Sequence, residues 1–183
     1  MSYRPITDVW ILARPKVKYY GAYPNGFLER ARALLGVHRA DSVLHVCAGA
    51  AKQYPAWNKL CSSDYTLDLD ATLKPDFVQD ANDHLPFRPL GNGVSGAWDA
   101  LIADPPYTPV DAQHYRPDAL RLPPANALLR RMLEVVRPGG RVALLHYVLP
   151  QPPRDGVKFV ACVGVIVGFN NRIRIFSVFE RTA

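Results

Sequence analysis

Strand-like apolar segments recur along the chain, and most of them stop at a short loop that begins with a small or acidic residue. In chain order they span residues 42–47, 65–69, 77–79, 98–103 and 141–149. Apolar residues at consecutive positions are typical of strands that are covered on both faces of a sheet. Strands of this kind, separated by crossovers, predict a mainly parallel, doubly wound α/β sheet.

Two segments have helical periodicity. The first begins after Asn25, a predicted N-cap, and ends at Gly36, with an apolar residue at every third or fourth position. The second spans residues 126–136 and ends before Pro138-Gly139-Gly140. Residues 157–167 and 172–179 predict a closing hairpin. Together the segments predict a Rossmann-like sheet of about seven strands with an antiparallel C-terminal strand.

Prolines interrupt several of the expected crossovers. The chain has 17 prolines in 183 residues, and a proline inside a helix removes a hydrogen bond and clashes with the preceding turn. Pro55 interrupts the first crossover, residues 81–96 lack a helical period, and residues 150–156 cannot form a helix. Several crossover helices are therefore expected to be reduced to loops. Residues 1–24 are expected to form an irregular N-terminal arm ahead of a single domain over residues 25–183.

The tetrapeptide Asp104-Pro105-Pro106-Tyr107 follows the strand at 98–103 and carries the strongest chemical signal. Two consecutive prolines fix φ and leave only carbonyl acceptors on that stretch of backbone. A carboxylate, a carbonyl and an aromatic ring at a strand end suit a planar ring that bears an exocyclic amine. The amine would donate to Asp104 and to a carbonyl while Tyr107 stacks on the ring. Two acceptors would free the nitrogen lone pair for attack on an electrophilic carbon.

Three other strand ends carry residues that suit a nucleoside cofactor. The small residues Ala48-Gly49 follow the first strand and let a ligand approach the backbone closely. Asp68, nineteen residues after Gly49, suits a carboxylate that accepts both ribose hydroxyls, and Asp70 is the neighbouring candidate. Asp80-Ala81 follows the third strand, where it would meet an adenine edge.

The order of these motifs resembles class I S-adenosylmethionine-dependent methyltransferases. The Asp-Pro-Pro-Tyr form resembles the amino-methyltransferases that modify adenine N6 or cytosine N4 in DNA. The resemblance covers roughly residues 20–180 and includes Tyr23-Pro24-Asn25-Gly26-Phe27, which is similar to a helix start that contacts the methionine part of the cofactor. His45 stands where the family often has an acidic residue, and Ala51 stands where it has a glycine.

This resemblance implies S-adenosyl-L-methionine as the cofactor and methyl transfer to an exocyclic amine of a base as the reaction. The implied catalytic residues are Asp104, Pro105, Pro106 and Tyr107. The implied cofactor-binding residues are Tyr23, Pro24, His45, Cys47, Ala48, Gly49, Asp68, Asp80, Ala81 and Asp104. No metal site is expected, because the histidines have no ligand spacing.

The class of substrate stays open at this point. Eighteen residues separate Tyr107 from the second helix. They could form a lid with Tyr115 and Arg116 near its middle, but they leave no room for a separate target-recognition domain. DNA is favoured as the substrate, and RNA is close behind. A small-molecule methyltransferase and a non-catalytic subunit with this fold are the other hypotheses.

An acidic middle of the chain lies between basic flanks. Residues 1–40 carry seven basic and two acidic side chains, residues 41–120 carry five and eleven, and residues 121–183 carry ten and three. Basic flanks attract polyanions, so a nucleic-acid face is expected. Its predicted members are Arg14, Lys16, Lys18, Arg30, Arg32, Arg172 and Arg174. The missing crossover helices also predict an apolar surface that a homodimer partner or a specificity subunit would cover.

The cysteines and the apolar runs bear on the cellular compartment. Cys47, Cys61 and Cys162 are scattered and have no CxxC spacing, which argues against a disulfide framework and a structural zinc site. The longest apolar run, residues 159–169, is shorter than the ~20 residues of a membrane span. These features favour a cytoplasmic protein with no membrane partner.

Overall fold

A mixed eight-stranded sheet forms the centre of the protein in a computed structural model, which describes residues 4–15, 22–91, 93–115, 122–168 and 172–183. The described residues form ten strands. They are β1 (Ile6–Leu12), β2 (Val43–Val46), β3 (Asp64–Asp68), β4 (Phe77–Val78), β5 (Arg88–Gly91), β6 (Val94–Gly96), β7 (Trp98–Ala103), β8 (Val136–His146), β9 (Val157–Val167) and β10 (Ile173–Arg181). All but β5 and β6 belong to this sheet. The α-helices are α1 (Phe27–Leu35), α2 (Trp57–Leu60), α3 (Pro109–Tyr115) and α4 (Ala125–Val135).

The strand order in the main sheet is β1-β9-β10-β8-β7-β2-β3-β4. The five strands from β8 to β4 are parallel to one another. Strand β10 runs antiparallel between β8 and β9, and β5 and β6 form a separate antiparallel pair. The predicted Rossmann-like, mainly parallel sheet with an antiparallel C-terminal strand is therefore confirmed. The edge of the sheet at which the parallel strands end is called the carboxyl edge below.

The N-terminal segment differs from the prediction, because residues 6–12 form strand β1 rather than part of an irregular arm. Strand β1 pairs in parallel with β9, with Ile6 opposite Ala161 and Leu12 opposite Val167. Trp10 and Leu12 are buried, so alternate side chains of the strand reach the core. The main sheet consequently has eight strands in the described part of the chain, one more than the predicted seven. Pro5 and Pro15 lie outside β1 at its two ends and do not interrupt it.

The junction of α4 and β8 also differs from the prediction. The strand begins at Val136, directly after the helix, and the residues Arg137–Gly140 belong to it. Val136 pairs with Trp98, and the register then shifts before Ala100 pairs with Arg141. An added Cβ at Gly140 would lie 2.7 Å from the carbonyl oxygen of Asp99, so only glycine fits this close approach. The strand ends at His146, three residues before the predicted end.

The N-cap of helix α1 is Gly26, one residue after the predicted N-cap Asn25. Gly26, with φ of 77°, precedes the helix, and no side chain caps its first turn. Gly36, with φ of 65°, ends the helix as predicted, and its N–H donates to the carbonyl of Ala33. This left-handed C-cap is the conformation that glycine adopts without a steric penalty.

Each face of the sheet carries its own apolar core. The face beneath α1 includes Trp10, Phe27 and Phe176, and the face beneath α4 includes Trp98 and Met132. Full burial of a side chain of this size stabilises the fold by about 1.5–3 kcal/mol. The two cores bring α1 and α4 against opposite faces and leave the carboxyl edge to the loops.

Among the described residues, one part of the sheet has no covering element, because the crossover between β8 and β9 has no helix, as predicted for residues 150–156. Val9 and Ile173 lie on either side of Gly164 on this face. The exposed fractions of Val9, Ile11 and Ile173 are 58%, 76% and 57%. These three residues define what is called the open sheet face below.

No helix within the described ranges has the length and apolar character that a bilayer crossing requires.

Candidate active site

A cavity of about 450 Å³ opens at the carboxyl edge of the sheet, within the usual size range of ligand pockets. Its walls come from the segments that follow β2, β3, β4 and β7, together with the segment before α1. The lining residues are Ala22, Tyr23, Cys47, Ala48, Gly49, Ala51, Leu67, Asp68, Leu69, Asp70, Ala71, Thr72, Gln79, Asp80, Ala81, Asp104, Pro106, Ala112 and Pro123. Four aspartates and no lysine or arginine are among these described residues, so the cavity attracts a cationic group.

The turn after β2 is bound tightly to the end of β3. The N–H of Gly49 donates to Oδ2 of Asp68 over 2.7 Å, and the N–H of Ala48 donates to the carbonyl of Leu67 over 3.0 Å. Cys47 and Gly49 have φ values of 54° and 51°, so the chain turns within three residues. Side chains here are small, and the backbone itself forms this wall of the cavity.

Carboxylates follow the next two strands, as the parallel topology requires. Oδ1 of Asp68 accepts the N–H of Asp70 over 3.0 Å, and Oδ1 of Asp80 accepts the N–H of Asn82 over 2.8 Å. Hydrogen bonds from the side chain and N–H of Thr72 lower the pKa of Asp70. Each oxygen of Asp68 accepts one hydrogen bond and can accept a second. In Asp70 and Asp80, Oδ1 already accepts two hydrogen bonds, and Oδ2 keeps the capacity for a ligand.

Asp104 follows β7 and lines the cavity, and its pKa is the most informative in the site. Burial raises this pKa to about 6, while Arg174 and the hydrogen bond from Tyr107 lower it. The Tyr107 hydroxyl donates to Oδ1 of Asp104. Oδ2 has no hydrogen-bond partner within the described chain, and it remains available to a ligand in the cavity.

Tyr107 takes a position that the sequence did not predict. Its ring lies outside the cavity lining and packs against His146 and Tyr147, with ring centroids 5.4 Å and 4.5 Å away. Nη1 of Arg174 lies 3.5 Å from the Tyr107 hydroxyl. Tyr107 therefore contacts the carboxylate of Asp104 rather than presenting its ring to the cavity.

The segment before α1 supplies Tyr23 to the cavity. The Tyr23 ring stacks on Phe27 at 5.1 Å, and its buried hydroxyl has no hydrogen-bond partner in the described chain. Burial, followed by the charge of Asp104, raises the pKa of Tyr23. Pro24 is buried outside the cavity lining, where its carbonyl accepts the N–H of Phe27.

His45 lies in the core and not in the cavity. Its Nε2 lies 2.8 Å from Oδ2 of Asp64, and Arg32 donates to the same oxygen over 2.6 Å. The ligand atoms of His45, Cys61 and Asp64 lie within 4.8 Å of one another. The Arg32 guanidinium already neutralises Asp64, and burial raises the pKa of the Cys61 thiol. The cluster is therefore an ion-pair network, and its donor set does not suit a metal ion.

Comparison of the structure finds related proteins, whereas comparison of the sequence finds none. The chain matches no protein-family model and no curated protein sequence. TrmN from Thermus thermophilus is 21% identical with a TM-score of 0.55, over 84% of this chain and 47% of that one. SMU.1697c from Streptococcus mutans, solved in complex with SAH, is 13% identical with a TM-score of 0.51, over 84% and 96% of the two chains. An rRNA methylase from Streptococcus thermophilus is 12% identical with a TM-score of 0.51, over 85% and 96%.

The fold is that of the class I S-adenosylmethionine-dependent methyltransferases. The chain spans about half the length of TrmN, so it corresponds to one part of that protein. The end of β7 and the turn after β2 flank the cavity, and they contribute Asp104 and Gly49 to its lining.

The methyltransferase fold brings together most of the residues that were predicted for the cofactor. Eight of them line the cavity: Tyr23, Cys47, Ala48, Gly49, Asp68, Asp80, Ala81 and Asp104. Pro24 and His45 do not. Pro106 lines the cavity, and Pro105 and Tyr107 lie outside its lining. Among the lining residues that sequence reasoning missed, Gln79 and Ala22 directly precede predicted residues, whereas Pro123 has no sequence signal.

The predicted basic face is only partly assembled. Arg14 and Arg172 are exposed at the carboxyl edge, and Arg30 is exposed over the Trp10 ring at 5.7 Å. Arg32 is buried against Asp64, and Arg174 is half-buried beside Tyr107, so neither is a surface cation. Lys16 and Lys18 lie outside the described residues, as does Arg116 of the expected lid.

Proposed function

We propose that the protein is a methyltransferase that transfers the methyl group of S-adenosyl-L-methionine to an exocyclic amine of a nucleic-acid base. The observation that carries this proposal is the single cavity shared by Asp68, Asp80 and Asp104 at the ends of β3, β4 and β7. Two of these carboxylates suit the nucleoside half of the cofactor. The third lies where an acceptor amine would need a hydrogen-bond acceptor.

The residues present fit the cofactor. Asp68 and Asp70 have acceptor capacity for the ribose hydroxyls, and Ala81 and Leu69 offer apolar surface for the adenine. Four aspartates without a lining cation favour a positively charged sulfonium. The structural neighbour SMU.1697c, which was solved with SAH, supports the same choice.

The chemistry requires little from the protein beyond alignment. The cofactor supplies an electrophilic methyl carbon: the amine nitrogen forms a bond to it, the carbon–sulfur bond breaks, and sulfur keeps that electron pair as a neutral thioether. Oδ2 of Asp104 would accept a hydrogen bond from the amine and orient the nitrogen lone pair towards the methyl carbon. The methylated nitrogen is acidic, and its extra proton passes to the Asp104 carboxylate or to water.

A nucleic acid is the acceptor that the surface charge supports. Arg14 and Arg172 lie on the carboxyl edge that also carries the cavity, so the phosphates of a bound strand would meet positive charge. DNA is the favoured substrate because of the Asp-Pro-Pro-Tyr motif. RNA is the second candidate, since one structural neighbour is an rRNA methylase.

A partner subunit is the remaining part of the proposal. The open sheet face is apolar and accessible at Val9, Ile11 and Ile173. Exposed apolar patches of this kind mark interaction sites. A second copy of the chain, or a specificity subunit, would cover the face.

The decisive experiment measures cofactor binding and methyl transfer separately. Calorimetry with S-adenosyl-L-methionine tests the cavity. Transfer of labelled methyl to duplex DNA, single-stranded DNA and RNA, followed by nucleoside analysis, identifies the acceptor. Asp104→Asn should abolish transfer and keep cofactor affinity, whereas Asp83→Asn, an exposed carboxylate, should change neither. Absence of cofactor binding by the wild-type protein would reject the proposal.

A further inference from the structure

Arg174 on β10 reaches the site from a strand that supplies no residue to the cavity lining. Its guanidinium is half-buried, and its Nη1 lies 3.5 Å from the Tyr107 hydroxyl. That hydroxyl in turn donates to Oδ1 of Asp104. Because a guanidinium only donates and a carboxylate only accepts, the hydrogen bonds run in one direction, from Arg174 through Tyr107 to Asp104.

This chain of contacts fixes one oxygen of Asp104 and leaves the other to the cavity. Asp104 lines the cavity, whereas Tyr107 and Arg174 do not, so Tyr107 contacts the carboxylate from outside the cavity and Arg174 contacts Tyr107. The Tyr107 ring is held by His146 and Tyr147. The hydroxyl is thereby kept on Oδ1.

The ionisable groups around Asp104 differ in the charge that they carry. Tyr23 and Cys47 face Asp104 from the segment before α1 and the turn after β2, and burial keeps both neutral. The charges of Asp68 and Asp80, which also line the cavity, add to the rise in the pKa of Cys47. Burial lowers the pKa of His146, so its imidazole is neutral at pH 7 and above. Within this described set, Arg174 alone carries a fixed positive charge.

We propose that Arg174 is a positioning residue that acts through Tyr107 to keep Asp104 ionised, with Oδ2 directed to the acceptor amine. A protonated Asp104 would have lost the charge that makes it a strong acceptor. Burial favours this protonated form, and the nearby guanidinium opposes it. The consequence for methyl transfer rests on the proposed function, whereas the ionisation of Asp104 does not.

The test follows the ionisation of Asp104 directly. Protein labelled with ¹³C at the aspartate carboxyl carbons is titrated by NMR, and Asp104→Asn assigns the resonance. We expect a midpoint at about 6 in the wild type. In Arg174→Met the midpoint should rise by about one unit or more, the usual effect of a neighbouring charge. Tyr107→Phe should also raise it, because the carboxylate loses a donor.

Two control variants distinguish the effect of the Arg174 contact from the effect of removing any nearby positive charge. Arg172→Met removes an exposed cation that precedes β10, two residues from Arg174, and the midpoint should stay at its wild-type value. Arg174→Lys keeps the positive charge, so the titration midpoint of Asp104 should lie between the wild-type value and that of Arg174→Met. A wild-type midpoint in Arg174→Met would overturn the proposal. If Arg174→Met does not fold, a wild-type midpoint in Tyr107→Phe would overturn it equally.

A second readout connects the inference to catalysis. With whichever polymer accepts label from the wild type, the acidic limb of the pH–rate profile should move to higher pH in Arg174→Met. The rate that is lost at pH 7 should return at higher pH, and affinity for S-adenosyl-L-methionine should not change. A uniform loss at all pH values would contradict the positioning role. Failure of the proposed function would instead appear as a wild-type protein that transfers no methyl group, with the NMR titration unaffected.

Discussion

The backbone N–H of Gly49 donates a 2.7 Å hydrogen bond to Oδ2 of Asp68, which joins the turn after β2 to the end of β3. Both residues also line the cavity. Asp68 therefore has two tasks in the proposed function, one toward the protein backbone and one toward the ribose.

Replacement of Asp68 by alanine should weaken binding of S-adenosyl-L-methionine by about 1.5–3 kcal/mol, or roughly 10- to 150-fold, because hydrogen bonds to a charged acceptor are lost. Calorimetry measures this change, and Asp83→Ala serves as the control. A cofactor analogue without ribose hydroxyls separates the two tasks. If Asp68 contacts ribose, the wild type should prefer the natural cofactor and Asp68→Ala should not discriminate. Equal discrimination by both proteins would contradict the ribose contact.

Asp104 should make the fold less stable as the pH rises. Its folded-state pKa of about 6 is above the ordinary value of 3.8, so between about pH 4 and pH 6 the folded state holds a proton that the unfolded state has released. Stability is then lost through this window, by up to about 3 kcal/mol for a shift of about two units. Asp104→Asn should remove that loss while retaining an acceptor for Tyr107.

Urea unfolding at pH 4 and pH 8 measures this effect. The variant should match the wild type at pH 4 and exceed it at pH 8. The free energies of unfolding are compared between variant and wild type at each pH, because Asp70, Asp76 and Asp99 have lowered pKa values and act in the opposite direction. An equal difference at both pH values would show that Asp104 does not titrate in this window.

Arg14 and Arg32 should respond differently to substitution, although both are arginines of the basic N-terminal flank. Arg14→Ala should leave stability nearly unchanged and reduce the salt dependence of duplex binding by a slope of about 0.9. Arg32→Met should leave the salt slope unchanged. It should lower the free energy of unfolding by about 3–5 kcal/mol, because buried Asp64 loses its guanidinium partner and keeps only the contact with His45. Binding isotherms at several salt concentrations and urea unfolding of both variants provide the comparison.

The open sheet face should be covered by a second copy of the chain at micromolar concentration. Light scattering should then give about twice the 20.4 kDa of one chain. Ile11→Asp should shift the protein to the single-chain mass, because it introduces a charge into the apolar contact. Ile6→Asp, on the other face of the same strand and also exposed, is the matched control. A wild-type mass of 20.4 kDa would contradict this prediction.

The local sequence pattern was sufficient to predict the elements whose conformation depends on their own residues. Strand β7 begins and ends at the predicted residues, because its side chains at Trp98 and from Ala100 to Ala103 are buried. The meeting of Asp68, Asp80 and Asp104 followed from topology, since parallel strands end at one edge. The glycine stop at Gly36 followed from the conformational freedom of that residue.

The features that were missed depend on distant partners. The residues of β1 form a strand because they pair with β9, which lies about 150 residues away in the sequence. The start of β8 depends on a shift of register opposite Trp98. Arg32 was assigned to the surface by its charge, although it lies one helical turn from Leu28 and Leu35 on the buried face of α1. The contact of Arg174 with Tyr107 joins residues that are 67 positions apart, and no local signal predicts it.

The pairing of β1 with β9 has a consequence for biosynthesis. Ile6 is synthesised about 150 residues before its neighbour Ala161, which corresponds to roughly 10–30 s at usual rates of translation. During this interval the nascent chain carries a seven-residue strand whose only ionisable side chain is Asp8. Strand β1 therefore joins the sheet only after β9 has been made, and chaperones that bind extended apolar segments can bind it during this interval.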